Sequence, residues 1–420
     1  MTTTPGVRIR RLRLTNYRSV GSCDLELGDL AVLVGPNGAG KSNILDALVF
    51  LKDALTMNLR RAVYRRGADQ IALRGSEQLV HGDTRVGRVT AEDSNGGGIS
   101  ENPNTSLVTV AVHVAGLPDG RSCEYSMSFS VRLNDMDPEV TVRSETCSVR
   151  GENDEVCSSF DRSSGVTEIG GNRVPVPATE GSSLVLGVLT AYEAFAPVHR
   201  ALTSTALISP HPDAVHYTEA PASGGELQAD AGNLAAVLLW LEKHMPEAKE
   251  RIDEYLSLIV PGIRRAVPRD LGGVFTLEFD REAREPGEMF LLRAVTMSDG
   301  TLRALGILTA LFAPSGDGTF GPVIIEEPET ALHPAAAGVL FDAIREASTM
   351  RQVLVTTHSG DLLDAGDLGF SEIFAVRSEA GSTKVGPLDA GGRLALEESL
   401  FSAGELLRSD QLQPAPDTQP

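Results

Sequence analysis

The residues Gly35-Pro36-Asn37-Gly38-Ala39-Gly40-Lys41-Ser42 follow an apolar run at 31–34 and precede a segment in which Ile44, Leu45, Leu48, Leu51 and Leu55 keep helical spacing. A glycine-rich turn between a strand and a helix lets successive backbone N–H groups converge on phosphate oxygens, and the helix N-terminus adds positive potential there. Lys41 is then placed to reach β- and γ-phosphates, and the Ser42 hydroxyl to ligate Mg2+. Gly35, Pro36, Asn37, Gly38, Ala39, Gly40, Lys41, Ser42 and Asn43 form the candidate phosphate loop. A bare glycine-rich turn would not require that strand before it and that amphipathic helix after it.

Three further groups complete the chemistry. Residues 323–329, VIIEEPE, read as an apolar strand ending in two acids. Acids at the carboxyl end of a strand stand where an open α/β sheet binds its ligand. Glu326 suits a magnesium shell, and Glu327 suits orienting or deprotonating an attacking water, because phosphoryl transfer needs positioning and charge compensation. By themselves these acids could equally cap a helix. Residues 297–303, MSDGTLR, lie just before a helical pattern through Leu302, Leu305, Leu308 and Leu311, so Ser298 or Asp299 reads as a helix N-cap when taken alone. His358, in TTHS after the apolar run QVLV, stands at the end of the next strand, within reach of a γ-phosphate.

The elements that must position these groups are legible from patterning. Short strands are expected at 8–14, 23–27 and 31–34, with a helix from 41. The stretch 93–104, DSNGGGISENPN, reads as a loop. Alternating runs between 107 and 150, with turns at 118–120 and 135–138, read as antiparallel strands, and 151–183 is polar and turn-rich. From 184 to 263 the spacing is helical, and then strands and helices alternate, as in a parallel α/β sheet. The expected organisation is a nucleotide-binding core split between 1–90 and 275–408, a β-rich insertion at 91–183, a helical insertion at 184–274 and a disordered tail at 409–420. No heptad pattern is sustained, so no long coiled coil is expected.

Composition limits the alternatives. The 420 residues are 41% hydrophobic and 22% charged, an ordinary globular balance. No apolar run is long enough for a membrane span, and the N-terminus lacks the apolar centre of a secretory signal. A cytoplasmic protein that makes no membrane contact is expected. Four cysteines without a paired spacing exclude a zinc ribbon or a disulfide scaffold. A net charge of −20 argues against indiscriminate coating of nucleic acid. The first 90 residues nevertheless hold 14 basic against 8 acidic residues, so any DNA surface belongs there. Arg60, Arg61, Arg65 and Arg66, near Arg74, are the candidate contacts; the competing reading pairs them with the chain's own acids.

GPNGAGKSN, MSDGTLR, IIEEPETALHP and TTHS, in that order, resemble the phosphate loop, signature, Walker B with D-loop, and switch histidine of ABC-type ATPases. Within that class the chain is most similar to the RecF/SMC-like predicted ATPases of the AAA family found in bacterial DNA repair and phage-defence operons. The opening RIRRLRLTNYRSVGSCDLEL and the segment FLKDAL…RRG fit as well, so the resemblance covers roughly 8–90 and 225–390. It implies an ABC-type α/β P-loop NTPase with a mixed sheet, an antiparallel β lobe and a helical insertion. It also implies that two copies close head to tail over two ATP molecules with magnesium. Ser298, Asp299 and Gly300 of one copy would then serve the nucleotide held by Lys41 of the other, with Glu327 as catalytic base and His358 as γ-phosphate sensor. Gln70 is the candidate Q-loop residue. Two departures, Glu326 where aspartate is commoner and MSDGT in place of LSGGQ, bear on turnover rate.

The expected function is an ATP-hydrolysing switch that dimerises or forms a higher oligomer and acts on DNA or a phage component. A separate nuclease or toxin effector is expected, since too little chain follows His358 for a fused Toprim nuclease. Three alternatives stand beside it. For an ABC transporter's nucleotide-binding subunit, Ser298 lies too far from Ser42, 256 residues on. The others are a scaffold module with slow hydrolysis, and a condensin-like tether, which would need a coiled coil.

Overall fold

The computed structural model describes residues 6–72, 105–133, 138–169, 171–176, 179–216, 225–282, 289–315 and 318–416. The expected loop at 93–104, Arg74, turn residues 135–137 and the last four residues of the expected tail lie outside these. All five residues of strand β3 (Leu30–Val34) are buried, as expected for a continuous apolar run in the middle of a sheet covered on both faces. Side chains of a strand alternate between faces. Ala31 and Leu33 accordingly join one core, while Leu30, Val32 and Val34 join the other.

Strands β1 (Arg8–Tyr17) and β2 (Val20–Glu26) precede β3, and helices α1 (Lys41–Thr56) and α2 (Leu59–Arg66) follow it. The β-rich segment supplies β4 (Thr105–Ala115), β5 (Ser122–Arg132), β6 (Glu139–Arg150), β7 (Val156–Asp161), β8 (Val166–Ile169) and β9 (Asn172–Pro175). Helices α3 (Val185–Leu189) and α4 (Ala196–Thr203), strand β10 (Ala206–Ile208), and helices α5 (Pro212–His216), α6 (Leu234–His244) and α7 (Pro246–Ile259) come next. A small antiparallel sheet of β11 (Ile263–Asp270), β12 (Phe275–Glu282) and β13 (Met289–Arg293) leads to α8 (Asp299–Phe312), β14 (Val323–Glu326), α9 (Pro334–Met350), β15 (Val353–Thr357) and α10 (Gly360–Ala365). The hairpin β16 (Ile373–Glu379) and β17 (Ser382–Pro387), then α11 (Ala390–Glu397) and α12 (Ala403–Arg408), complete the order.

The large sheet runs β10-β14-β15-β3-β16-β17-β2-β1-β4-β5-β6-β7-β8-β9, fourteen strands in all. Its β10-β14-β15-β3-β16 half is parallel and the rest is largely an antiparallel meander. The β-rich insertion therefore extends the core sheet and does not stand apart from it. The physical reason is β1, whose ten alternating residues pair with β2 on one edge and with β4 on the other; an open edge of that length would invite foreign strands. Among the described residues the longest helix is α9, with 17 residues, so no long coiled coil is present there. No helix among them is long and apolar enough to cross a membrane.

One expectation needs correction. Residues 409–416 are not a disordered tail. Leu412 is buried, the Asp410 carbonyl accepts from Arg377 Nη2 at 2.7 Å, and Ala415 N donates to Pro387 O at 2.8 Å. A lone apolar side chain with a core to enter, and a strand edge with carbonyls to offer, order a segment whose composition reads as polar.

Candidate nucleotide site

Three adjacent parallel strands carry the candidate groups. Glu326 of β14 lies opposite Thr356 of β15, which lies opposite Leu33 of β3; Thr357 lies opposite Val34. This register brings the acids, His358 and the start of the phosphate loop to the same carboxyl edge, where open α/β sheets bind ligands.

The loop turns into α1 through Gly40, whose φ of 101° is left-handed, a conformation glycine adopts without steric cost. Lys41 is 5% exposed and its ammonium donates to Gly35 O at 2.8 Å and Pro36 O at 3.1 Å. Burial lowers the Lys41 pKa, while Glu327, Glu329 and Glu326 oppose that shift by stabilising the charge. Asn37, Gly38 and Ser42 are exposed along the loop. Asn43 turns its amide to Ser19 Oγ at 2.6 Å, so its side chain braces the loop from behind.

At the end of β14 the chain takes an uncommon path. Glu327 has φ 44°, a left-handed conformation that costs a non-glycine residue on the order of 1 kcal/mol or more and clusters at functional sites. It is held by Glu327 N donating to Thr356 O at 2.9 Å. His358 Nδ1 then lies 3.2 Å from Glu327 Oε1 and 4.0 Å from Glu329 Oε1. Thr357 Oγ1 donates to Glu329 Oε1 at 2.5 Å. Glu329 Oε2 is buried without a hydrogen-bond partner among the described residues. Sequence reading passed over Glu329, although its position two residues beyond Glu327 and opposite TTHS was the available signal.

Ser298 caps α8, accepting from Thr301 N at 3.3 Å, and both Ser298 and Asp299 are exposed. A Cβ on Gly300 would fall 2.2 Å from Ala331 O. Only glycine lets this turn sit on the segment that follows β14, so residues 298–300 and the segment after the acids are in close contact within one chain. Gln70 occupies an exposed turn after α2, its N–H bonded to Gly67 O at 2.9 Å, and among the described residues no hydrogen bond joins it to residues 35–43.

The arginines divide. Arg60, Arg61 and Arg65 are exposed on α2, with Arg60 over the Tyr64 ring and Arg65 3.5 Å from Asp53. Arg66 is different: its side chain is 8% exposed, bonds Asp46 at 2.9 Å and Asp53 at 2.8 Å, and lies over Phe50. Its expected role as a DNA contact is therefore corrected; the guanidinium is committed to two internal acids, which the excess of acidic residues made available.

The donor set fits a magnesium–nucleotide. Backbone N–H groups, a buried lysine and a helix N-terminus match polyphosphate, and the Ser42 hydroxyl and Glu326 match a hard cation. Among the described residues no group of three His, Cys, Asp or Glu side chains gathers to hold a metal.

Two family models match: "AAA ATPase domain" over residues 8–104 and "AAA domain, putative AbiEii toxin, Type IV TA system" over 207–365. The DNA replication and repair protein RecF of Brucella abortus (strain 2308) is 36% identical over 102 residues, 22% of this chain and 25% of the relative. The OLD nuclease of Thermus scotoductus is 50% identical over 40 residues, 10% of this chain and 8% of that protein. The matches thus span a quarter or less of these relatives' length. The match to an SMC head bound to the C-winged helix domain of ScpA covers 90% of this chain and 96% of that one, at 16% identity and a TM-score of 0.49.

Proposed function

We propose, from the premise that this chain is a RecF/SMC-like member of the ABC-type AAA ATPases, that it binds and hydrolyses ATP with magnesium as a cytoplasmic dimerisation switch. The observation that carries this reading is the shared edge at which Lys41, Glu326, Glu327 and His358 converge, with Glu327 and His358 3.2 Å apart.

In this reading Lys41 leaves the carbonyls of Gly35 and Pro36 for the β- and γ-phosphates, and backbone N–H groups of the loop complete the cradle. Ser42 and Glu326 would hold the cation, which would supply charge neutralisation on the phosphates. Glu327 accepts the proton of the attacking water. His358, released from Glu327, turns to the γ-phosphate. Ser298, Asp299 and Gly300, at the N-terminus of α8, reach the nucleotide of a second copy, so ATP favours the closed pair.

The exposed arginines of α2 and the RecF relatives support DNA as the ligand of this switch; a phage component is the other candidate. A separate nuclease or toxin effector would then perform any cleavage. A second reading, a scaffold with slow hydrolysis, is favoured by the contact of His358 with Glu327, since a base already engaged by a neighbour is slower to take a proton from water.

The test is ATP hydrolysis by the purified chain with and without double-stranded DNA, beside its mass with ATP and the Glu327→Gln change. DNA-stimulated turnover and an ATP-dependent dimer support the switch. A chain that neither hydrolyses ATP nor dimerises in its presence would sink it.

A further inference from the structure

Behind the phosphate loop, four polar groups from three parts of the chain form one line. Asn43 Nδ2 is 2.6 Å from Ser19 Oγ, Ser19 Oγ is 2.7 Å from Thr383 Oγ1, and Thr383 Oγ1 is 3.0 Å from Ala39 O. Proton counting fixes its direction. A hydroxyl carries one proton, and a carbonyl and an amide nitrogen can only accept and donate, respectively. Thr383 must therefore give its proton to Ala39 O, Ser19 must give its own to Thr383, and Asn43 must donate to Ser19. The three hydrogen bonds therefore run in one sense from Asn43 to Ala39 O, an arrangement in which successive hydrogen bonds polarise and strengthen one another.

Both ends of the line lie on the phosphate loop, while its middle lies elsewhere. Ser19 is in the turn between β1 and β2, and Thr383, 1% exposed, is in β17. The two are locked together by Thr383 N donating to Ser19 O at 2.6 Å and by the pairing of Thr383 with Val20. Gly40 closes the fit: a Cβ there would lie 1.9 Å from Thr383 Oγ1 and 2.9 Å from Ser19 Oγ. The third glycine of the loop is thus required by this brace as well as by its φ.

The consequence falls on one peptide. In a trans peptide the C=O and N–H point in opposite directions. With Ala39 O held from behind by Thr383, the Gly40 N–H is turned to the opposite side, the front of the loop. We infer that Thr383 and Ser19, which lie outside every nucleotide motif, are positioning residues for phosphate binding, presetting the Gly40 N–H as a phosphate donor. Without the brace the peptide is free to rotate and the donor must be ordered when nucleotide arrives, which costs affinity. This inference rests on the reading of residues 35–43 as a nucleotide site.

The experiment measures ATP and ADP dissociation constants of the full chain with magnesium, beside its melting temperature without nucleotide. Thr383→Val, which keeps the volume and loses the hydroxyl, and Ser19→Ala are each expected to weaken both nucleotides about tenfold, equivalent to about 1.4 kcal/mol, with the nucleotide-free melting temperature unchanged. Thr383→Ser should restore affinity, and the double variant should bind no more weakly than Thr383→Val, because one break opens the line. Wild-type affinity in Thr383→Val, or a loss that Thr383→Ser leaves unrepaired, overturns the inference. Should Thr383→Val fail to fold, Ser19→Ala decides by the same affinity criterion. A wild-type chain that binds neither nucleotide overturns the nucleotide reading itself, and this inference with it.

Discussion

His358 Nδ1 stands 3.2 Å from Glu327 Oε1, the two residues following the ends of neighbouring strands β15 and β14, with Glu327 in a left-handed backbone conformation. The contact joins the residue proposed to take a proton from water to the residue proposed to sense the γ-phosphate. Catalysis then requires the pair to separate, which makes it a natural point of control over turnover.

Glu327→Gln is expected to lower ATP turnover by about 10²- to 10⁴-fold, the usual contribution of a general base, while ATP binding persists and ATP-bound dimers accumulate. Steady-state hydrolysis and light scattering on the same preparation check both halves. Normal turnover would remove Glu327 from the role.

Lys41→Ala should abolish stabilisation by nucleotide. A ligand at a hundred times its dissociation constant stabilises a folded protein by about 2.7 kcal/mol, so the wild-type melting temperature should climb with ATP and that of the variant should stay flat. An equal rise in both proteins would show that nucleotide binds elsewhere.

The arginines give opposite expectations. Arg66→Ala leaves Asp46 and Asp53 without their shared partner and should destabilise the fold by about 3 kcal/mol, the range for breaking a buried ion pair. Changing Arg60, Arg61 and Arg65 together to glutamate should leave melting nearly unchanged but weaken DNA binding and flatten its dependence on salt. DNA affinity and salt slope equal to wild type would dismiss α2 as a DNA surface.

A pH dependence follows from Glu346 on α9. The hydrogen bond from Arg251 of α7 holds its carboxyl below the ordinary 4.5, with burial opposing and Tyr255 assisting. A depressed carboxylate pKa means stability that is present above about 4.5 and is lost as pH falls through the lower folded value. Both side chains are about a third or more exposed, so the contribution is at most about 1 kcal/mol. Glu346→Gln should flatten the acid limb of denaturant-derived stability; an acid limb identical to wild type would show that the pair contributes nothing.

The motifs were readable because their chemistry is local. A strand, a glycine turn and a helix in direct succession specify a phosphate cradle, and VIIEE carries both the apolar strand and its terminal acids within a few residues. What sequence could not supply is register and burial. That Glu326 aligns with Thr356 and Leu33 depends on strands hundreds of residues apart pairing without slippage, and a one-residue slip would send each side chain to the other face. Arg65 and Arg66 are neighbours of one type, yet helical rotation puts one in solvent and the other between two acids. The hydrogen-bonded pair Ser19 and Thr383 follows from no local pattern, and the order of residues 409–416 depends on a core that Leu412 can enter. The sequence by itself determined which groups could bind phosphate; the tertiary structure decided which face one another, because hydrogen-bonded register and desolvation are properties of the whole sheet.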